Sequence, residues 1–239
     1  MTNEHHISVS APIIELRDIC KTYHEGVNER RVLENVNFSI YPGELTILLG
    51  KSGSGKSTLL NLISGIDVAN YGEVFIENRN MTRFTEYERT VFRRRHIGFI
   101  FQFFNLIPTL TVEENLKLPL ELNGKTGKKA DHRVADMLEK VGLRGRESSY
   151  PDRLSGGEQQ RIAIARALVH DPTILLADEP TGNLDADTGQ QVIGLLDQLV
   201  REQRKTLIMA THSKEVIGLA DRILSIRDGR LLDISGNSI

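Results

Sequence analysis

The stretch LTILLGKSGSGKSTLLNLISG, residues 45–65, places a glycine-rich loop between a short apolar run and a run with helical spacing. The apolar run at residues 45–50 has the pattern of a strand that is covered on both faces of a sheet. Residues 50–57 match G-x-x-x-x-G-K-[ST], which binds nucleotide phosphates where it joins a strand to a helix. The flanking runs supply that context, so the stretch predicts a strand, a phosphate-binding loop and a helix.

The residue types in this loop suit phosphate binding. Gly50, Gly53 and Gly55 permit backbone conformations that other residues avoid, so that successive N–H groups can converge on phosphate oxygens. Lys56 brings a positive charge near the β- and γ-phosphates, and the Ser57 hydroxyl can ligate Mg²⁺. A flexible Gly/Ser turn would explain neither the lysine nor the flanks. The predicted phosphate-binding residues are Gly50, Lys51, Ser52, Gly53, Ser54, Gly55, Lys56, Ser57 and Thr58.

Patterns elsewhere in the chain indicate an α/β fold. Buried-strand patterns occur at residues 45–50, 97–101, 173–178 and 205–212. Helical spacing separates these runs, and buried strands that alternate with helices indicate a parallel sheet. Residues 13–19 and 32–40 alternate apolar and polar side chains, as half-exposed antiparallel strands do. Segments between residues 111 and 169 fit helical spacing better, so we predict one α/β domain with a mostly parallel sheet, an N-terminal antiparallel β subdomain and an inserted α-helical subdomain.

The composition limits the possible partners. The chain of 239 residues has 30 Lys and Arg against 32 Asp and Glu, and this net charge of −2 argues against nucleic acid as the main partner. Cys20 is the only cysteine, which excludes an internal disulfide and a cysteine-based metal cluster and indicates a reducing environment. No apolar stretch approaches the roughly 18 residues of a membrane span, and the N-terminus lacks the pattern of a signal peptide. If the protein acts at a membrane, we expect another chain to hold it there.

Polar residues follow three of the predicted buried strands. Side chains alternate along a regular strand, so we expect the adjacent Asp178 and Glu179 to point in different directions. We assign Asp178 to the Mg²⁺ shell and Glu179 to a water that attacks the γ-phosphate. Gln102 and His212 end two other runs, at the edge where α/β folds place ligands. Gln102 could bind metal or water, and His212 could donate to the γ-phosphate.

A second glycine-rich stretch, LSGGEQQR at residues 154–161, precedes a helical pattern but lacks the lysine of a phosphate loop. Ser155 and Glu158 form the S-x-x-E pattern of a capping box. The box does not explain Gly156 and Gly157, since a glycine within a helix costs about 1 kcal/mol. Paired glycines at a helix N-terminus let an anion approach the backbone N–H groups. We therefore predict a two-fold dimer in which this segment of each chain covers the nucleotide on the other chain's phosphate loop.

The motifs together resemble those of ATP-binding-cassette (ABC) ATPases over nearly the whole chain. The phosphate loop, Gln102, LSGGEQQR, ILLADEP, NLD (183–185) and His212 follow one another in the order found in that family. The segments GFIFQFFNLIPTLTVEENLKLPL (98–120) and LADEPTGNLD (176–185) resemble the branch that contains the lipoprotein-release, macrolide-efflux (MacB) and FtsE-type ATPases.

This resemblance implies a P-loop NTPase fold with a RecA-like core. It implies a single ABC ATPase domain over residues 1–239, with the helical subdomain at about 103–165. It also implies a head-to-tail dimer with two ATP molecules, each with Mg²⁺, at the interface. In that site it assigns adenine stacking to Tyr23, the catalytic base to Glu179 and a dimer contact to Asp185.

The resemblance further implies membrane permease subunits as partners, at the cytoplasmic face of the cell membrane. Residues 98–120 would receive a short helix from such a subunit, and Gln102 would link this groove to the ATP site. Two positions depart from the family pattern. Lys51 stands where proline is common, and Ser213 follows His212 where aspartate is frequent.

The leading functional hypothesis is therefore the ATP-hydrolysing subunit of an ABC transport or mechanotransmission complex, of the export, lipoprotein-release or efflux type. An alternative is a soluble ABC ATPase that acts on ribosomes or DNA. Known members of that class usually carry two fused cassettes or a long coiled-coil insertion, and this sequence shows neither. A third hypothesis, a nucleotide or small-molecule kinase that uses the same phosphate loop, gives no role to LSGGEQQR.

Overall fold

The computed structural model describes residues 11–26, 28–213 and 215–236. The structure therefore does not describe residues 1–10, where the sequence analysis predicts that there is no signal peptide. The strands are β1 (Ile14–Glu25), β2 (Asn28–Ile40), β3 (Leu45–Leu49), β4 (Tyr71–Ile76), β5 (Arg79–Asn80), β6 (Ile97–Ile100), β7 (Ile174–Asp178), β8 (Thr206–Thr211), β9 (Arg222–Arg227) and β10 (Arg230–Asp233). The α-helices are α1 (Lys56–Ser64), α2 (Glu86–His96), α3 (Val112–Leu122), α4 (Lys128–Lys140), α5 (Gly156–Leu168) and α6 (Ala186–Glu202).

An antiparallel sheet in the order β2-β1-β4-β5 forms the N-terminal part of the fold. The predicted strands at residues 13–19 and 32–40 lie within it, but β1 continues well beyond residue 19. The pairing register between β1 and β2 shifts on either side of Ile19, and Asp18 has a φ of 52°. An irregularity of this kind interrupts the two-residue alternation, so the sequence pattern ends before the strand does. The sequence pattern also gave no sign of β4 and β5.

The second sheet has the order β10-β9-β3-β8-β7-β6, and its neighbours are parallel except for β9 and β10. The four predicted buried strands form β3, β6, β7 and β8. Every residue of β3 and of β8 is buried, which explains their continuous apolar runs. The carboxyl ends of these parallel strands lie at one edge, so the segments that follow them meet there.

Side chains of the parallel sheet alternate between two hydrophobic clusters. Ile47 on β3 and Met209 on β8 pack in the cluster that contains the helices α3, α4, α5 and α6. Leu48 and Ile208, one residue away along the same strands, pack with α1 and the antiparallel sheet. A helical layer and the antiparallel sheet thus cover opposite faces of this sheet. Among the described residues, no helix is long and apolar enough to cross a membrane.

The helices α3, α4 and α5 lie between β6 and β7, where the sequence predicts a helical insertion. Gly98 on β6 lies against the backbone of Ala167 on α5, so close that a Cβ atom at residue 98 would overlap the Ala167 carbonyl. At the C-terminal end of α5, Arg133 Nε donates to the carbonyl oxygen of Val169 at 3.0 Å. That contact places positive charge where the helix dipole favours it. These contacts hold the C-terminal end of α5 against β6 and α4.

Candidate functional site

The loop between β3 and α1 adopts the strand–loop–helix arrangement that the sequence predicts. Gly53 and Gly55 have φ angles of 77° and 105°, in the left-handed region that favours glycine. Gly55 also lies against β2, since a Cβ there would be 2.8 Å from Cγ1 of Val32. Residue 55 must therefore be glycine for both conformational and packing reasons, and its conformation leads directly into the first turn of α1.

Lys56 lies buried at the start of α1, with 4% of its surface exposed. Its Nζ atom donates to the carbonyl oxygens of Gly50 at 2.8 Å and Lys51 at 3.2 Å, and it lies 3.5 Å from Oε1 of Glu179. A buried ammonium group is stable only when it is paired in this way. The Lys56 ammonium group thus binds two carbonyl oxygens of the loop and links the loop to Glu179, which follows β7.

The loop and the carboxyl ends of β6, β7 and β8 enclose a cleft of about 590 Å³. Its described lining residues are Tyr23, Arg30, Val32, Lys51, Ser52, Gly53, Gly55, Lys56, Ser57, Thr58, Gln102, Asp178, Glu179 and His212. The cleft therefore brings together most of the residues that the sequence singles out. Two predicted loop residues, Gly50 and Ser54, instead line a second cavity, which shares Lys51, Ser52 and Gly53 with the cleft.

Asp178 and Glu179 both line this cleft, and they do so with different contacts. β7 ends at Asp178, and Glu179 has a φ of 46°, which departs from the strand geometry that the expectation assumed. The backbone N–H of Glu179 donates to the Ala210 carbonyl oxygen at 2.9 Å, which fixes this turn against β8. The Oε2 atom of Glu179 lies 3.0 Å from Nδ1 of His212.

The environment of Asp178 fits a divalent cation. Its Oδ1 atom is buried and has no hydrogen-bond partner among the described residues. Burial raises the pKa of the carboxyl, the nearby charge of Glu179 raises it further, and the Ser57 hydroxyl opposes this change. Ser57 and Gln102 line the same cleft, so hydroxyl, amide and carboxylate oxygens converge there. Protein sites for Mg²⁺ use a small number of hard oxygen donors, and substrate phosphates complete the coordination of the ion.

Tyr23 lies at the end of the cleft that is formed by the antiparallel sheet. Its hydroxyl donates to Oδ2 of Asp67 at 2.8 Å, and burial raises the pKa of that hydroxyl. The Nζ atom of Lys21 lies 4.8 Å from the centre of the ring and 2.7 Å from Oδ1 of Asp67. The ring is therefore held in one orientation, as stacking on a nucleotide base requires.

The sequence analysis missed two residues of this cleft. Arg30 and Val32 lie on β2, where Arg30 is the direct cross-strand partner of Tyr23. Facing residues of an antiparallel pair share one side of the sheet. Gly26, a turn-forming residue between the alternating runs at 13–19 and 32–40, could have indicated this pairing.

The LSGGEQQR segment forms the predicted capping box at the start of α5. Oε2 of Glu158 accepts from the backbone N–H of Ser155 at 2.9 Å and from the Ser155 hydroxyl at 3.0 Å. The bond from the backbone N–H is the main reason that the pKa of Glu158 is lowered. A Cβ at Gly157 would lie 2.5 Å from Cγ2 of Thr188 on α6. Packing against α6 is thus a second reason for glycine at residue 157, beside the approaching phosphate that the sequence predicts.

The same segment does not line the cleft of its own chain. None of residues 155–158 is among the described residues that surround the cleft. Asp185, which the resemblance places at a dimer contact, caps α6 within its own chain: its carboxylate accepts from the Thr188 N–H at 2.9 Å. Asp185 remains exposed beside this cap.

Comparison with known proteins identifies the family. The profile of the family described as ABC transporter matches residues 33–182. A relative named as an uncharacterised ABC transporter ATP-binding protein of Mycobacterium tuberculosis (strain H37Rv) is 55% identical over 221 residues, which cover 92% of this chain and 89% of the relative. The chain belongs to the ABC transporter family of ATP-binding proteins. The resemblance inferred from the motifs is confirmed.

Two further matches bear on this ABC ATPase. The lipoprotein-releasing system ATP-binding protein LolD of Hyphomonas neptunium is 42% identical over 222 residues, which cover 93% of this chain and 97% of LolD. A dimeric post-hydrolysis structure of the ATP-binding cassette MJ0796 with ADP and Pi superposes with a TM-score of 0.84. It is 41% identical and the match covers 93% of this chain and 99% of that one. The predicted fold and the ATPase activity are thereby confirmed.

In this ABC ATPase the segment after β6 is tied to α5. Phe104 and Asn105 have positive φ angles of 26° and 51°, and their carbonyl oxygens accept from Arg166 at 3.0 and 2.6 Å. Gln102 lines the cleft, while Phe103, one residue away, exposes 69% of its surface. The segment therefore connects the cleft, an exposed aromatic side chain and the helix that begins with the LSGG sequence.

The two departures from the family pattern are accommodated locally. Lys51 is exposed at the mouth of the cleft, and its carbonyl oxygen accepts from Lys56. The Ser213 N–H donates to the Thr211 hydroxyl at 3.0 Å, and the Ser213 hydroxyl accepts from the Glu215 N–H at 3.2 Å.

Proposed function

We propose that this ABC ATPase works as a head-to-tail homodimer in which each nucleotide lies between the phosphate loop of one chain and residues 155–158 of the other. The observation that carries the proposal is that these residues do not line the cleft of their own chain. The dimeric structures of MJ0796, one of them with ADP and Pi, support it. The proposal treats residues 1–239 as one ABC domain with a helical subdomain at about 103–165.

The roles within the site follow from its contacts. Lys56 and the loop amides bind the phosphates, and Tyr23 stacks on the adenine. Mg²⁺, when bound by Ser57, Asp178 and Gln102, neutralises phosphate charge. Glu179 accepts a proton from the attacking water, and His212, 3.0 Å away, orients that carboxylate and reaches toward the γ-phosphate. The site is completed by residues of the second chain, which are Ser155, Gly156, Gly157 and Glu158, with Asp185 beside them.

Replacement of Glu179 by Gln tests this arrangement. The variant should bind Mg·ATP, form a stable dimer by light scattering, and hydrolyse ATP at least about 100-fold more slowly, since a general base contributes that much. Glu139→Gln, at an exposed position on α4, is the matched control and should behave like the wild type. A Glu179→Gln chain that stays monomeric with Mg·ATP would contradict the dimer, and one that retains full turnover would contradict the role of Glu179.

We further propose that closure of the dimer drives conformational change in separate membrane permease subunits, in an export, lipoprotein-release or efflux system. The similarity to LolD supports this class of partner. Residues 98–120 provide the docking surface, because they join Gln102 in the cleft to the exposed Phe103. The protein would then be held at the cytoplasmic face of the cell membrane by its partners.

Co-purification tests the docking surface. Phe103→Glu should remove integral membrane proteins that co-purify with the wild-type chain from detergent-solubilised membranes. Tyr87→Glu places the same charge at a comparably exposed aromatic residue on α2, 77% exposed, and should retain them. Co-purification with ribosomes or DNA in place of membrane proteins would favour the soluble alternative and contradict the transport role.

A further inference from the structure

Arg30 connects the base-binding end of the cleft to the phosphate loop. It is the cross-strand partner of Tyr23 in the β1–β2 hairpin, so both side chains lie on one side of that sheet. Its Nη2 atom donates to the carbonyl oxygen of Gly53, in the middle of the phosphate loop, at 3.1 Å. One side chain thus spans the distance between the predicted adenine and phosphate sites.

Most of the hydrogen-bonding capacity of this guanidinium group is still available. An arginine carries five N–H donors in a planar fork, and the contact with Gly53 uses one of them. Arg30 is exposed and lines the cleft. No carboxylate among the described residues forms an ion pair with it, whereas the adjacent Arg31 is paired with Glu34 at 2.7 Å.

We propose that Arg30 is a nucleotide-binding residue that contacts the phosphate chain of ATP from the side opposite Lys56. A guanidinium group that is anchored by one donor presents its remaining donors in a fixed geometry, which suits phosphate oxygens. Lys56 is committed to the two loop carbonyl oxygens and Glu179, so it binds from within the loop. Arg30 adds a second positive charge from β2, outside the motifs that define the family. This inference rests on the proposed nucleotide site at residues 50–57.

The experiment measures ATP, ADP and AMP affinities by calorimetry on the full chain. Arg30→Gln keeps a donor for the Gly53 carbonyl oxygen but removes the charge. We expect it to weaken ATP and ADP binding about 10-fold, as loss of one charge-assisted hydrogen bond does, and to leave AMP binding within twofold. Arg30→Lys should retain most of the affinity. Arg31→Gln makes the same charge change one residue along and should bind all three nucleotides like the wild type.

Three outcomes would overturn the inference. Wild-type ATP affinity in Arg30→Gln would show that the arginine only supports the loop through Gly53. An equal loss for ATP, ADP and AMP would place its contact at the base or ribose. An equal loss in Arg31→Gln would show a general charge effect. Lys56→Ala serves as a separate test: if it binds ATP normally, the proposed nucleotide site itself fails, whatever Arg30 does.

Discussion

His212 Nδ1 lies 3.0 Å from Oε2 of Glu179, and the other oxygen of that carboxylate lies 3.5 Å from Nζ of Lys56. These three residues come from the segments that follow the three parallel strands β3, β7 and β8, and they form one connected set of charges and hydrogen bonds. Glu179 is shielded while His212 is 64% exposed. The histidine is thus the member of this set that a second chain or the γ-phosphate can reach first.

Replacing His212 by Ala should slow hydrolysis without preventing nucleotide binding. The change removes the contact that orients Glu179 and a donor for the γ-phosphate, and loss of one such donor costs roughly 100-fold in turnover. Steady-state ATPase assays and direct ATP binding would measure the two effects. His132→Ala, at an exposed position on α4, should change neither. Wild-type turnover in His212→Ala would exclude this role.

Replacing Asp178 by Asn should weaken Mg²⁺ binding and raise stability or leave it unchanged. Burial raises the pKa of Asp178, so its charged form destabilises the folded chain at neutral pH, and the neutral amide removes that effect. We expect the Mg²⁺ concentration for half-maximal Mg·ATP binding to rise about 10- to 100-fold. Urea unfolding checks stability. Asp187→Asn on the exposed side of α6 is the control.

Replacing Ser155 by Ala separates helix capping from contact with a second chain. Thr85 caps α2 with Glu88 in the same geometry, so Ser155→Ala and Thr85→Ala should each cost about 1 kcal/mol of unfolding free energy. Only Ser155→Ala should also reduce ATP-driven dimerisation in the Glu179→Gln background. Equal dimerisation of the two variants would mean that Ser155 is only a cap.

Gly157→Ala should destabilise the chain because the new Cβ overlaps Cγ2 of Thr188. Thr188→Ser removes that methyl group, so the double variant should recover most of the lost thermal stability. Dimerisation should remain impaired in the double variant if Gly157 also approaches a nucleotide on the second chain. Full recovery of both properties would limit Gly157 to packing against α6.

The stability of the protein should fall on acidification through the buried His170. This side chain is 7% exposed, and burial is the main cause that lowers its pKa from 6.5 to about 4. The unfolded chain takes up the proton near pH 6.5 and the folded chain only near pH 4, so acid favours unfolding between these values. The contribution is about 2 kcal/mol between pH 7 and pH 5.

Urea unfolding of wild type and His170→Leu at both pH values checks this sign. The leucine variant has no imidazole to protonate, so its stability should fall less on acidification. His132→Gln, which removes an exposed imidazole, should follow the wild type. A parallel pH dependence of His170→Leu and wild type would disprove the assignment to His170.

The fold was predictable where local patterns are uninterrupted. The four buried strands and the phosphate loop follow from apolar runs and glycine positions, because such strands must be covered on both faces. β1 beyond residue 19 was not predictable, since the irregular pairing around Asp18 breaks the alternation. β4, β5, β9 and β10 carry no pattern strong enough to separate them from loops.

By itself, the sequence determined which chemical groups are present: a loop with the phosphate-binding pattern, carboxylates suited to metal and water, and a capped glycine segment without a lysine. These are properties of residue types at short spacings. Only the tertiary structure decided that Asp178 and Glu179 face one cleft, that Gly157 packs on Thr188, and that Arg30 reaches Gly53. These features depend on a backbone angle, a contact between two helices and a cross-strand register, which are set by packing between segments that are distant in the chain.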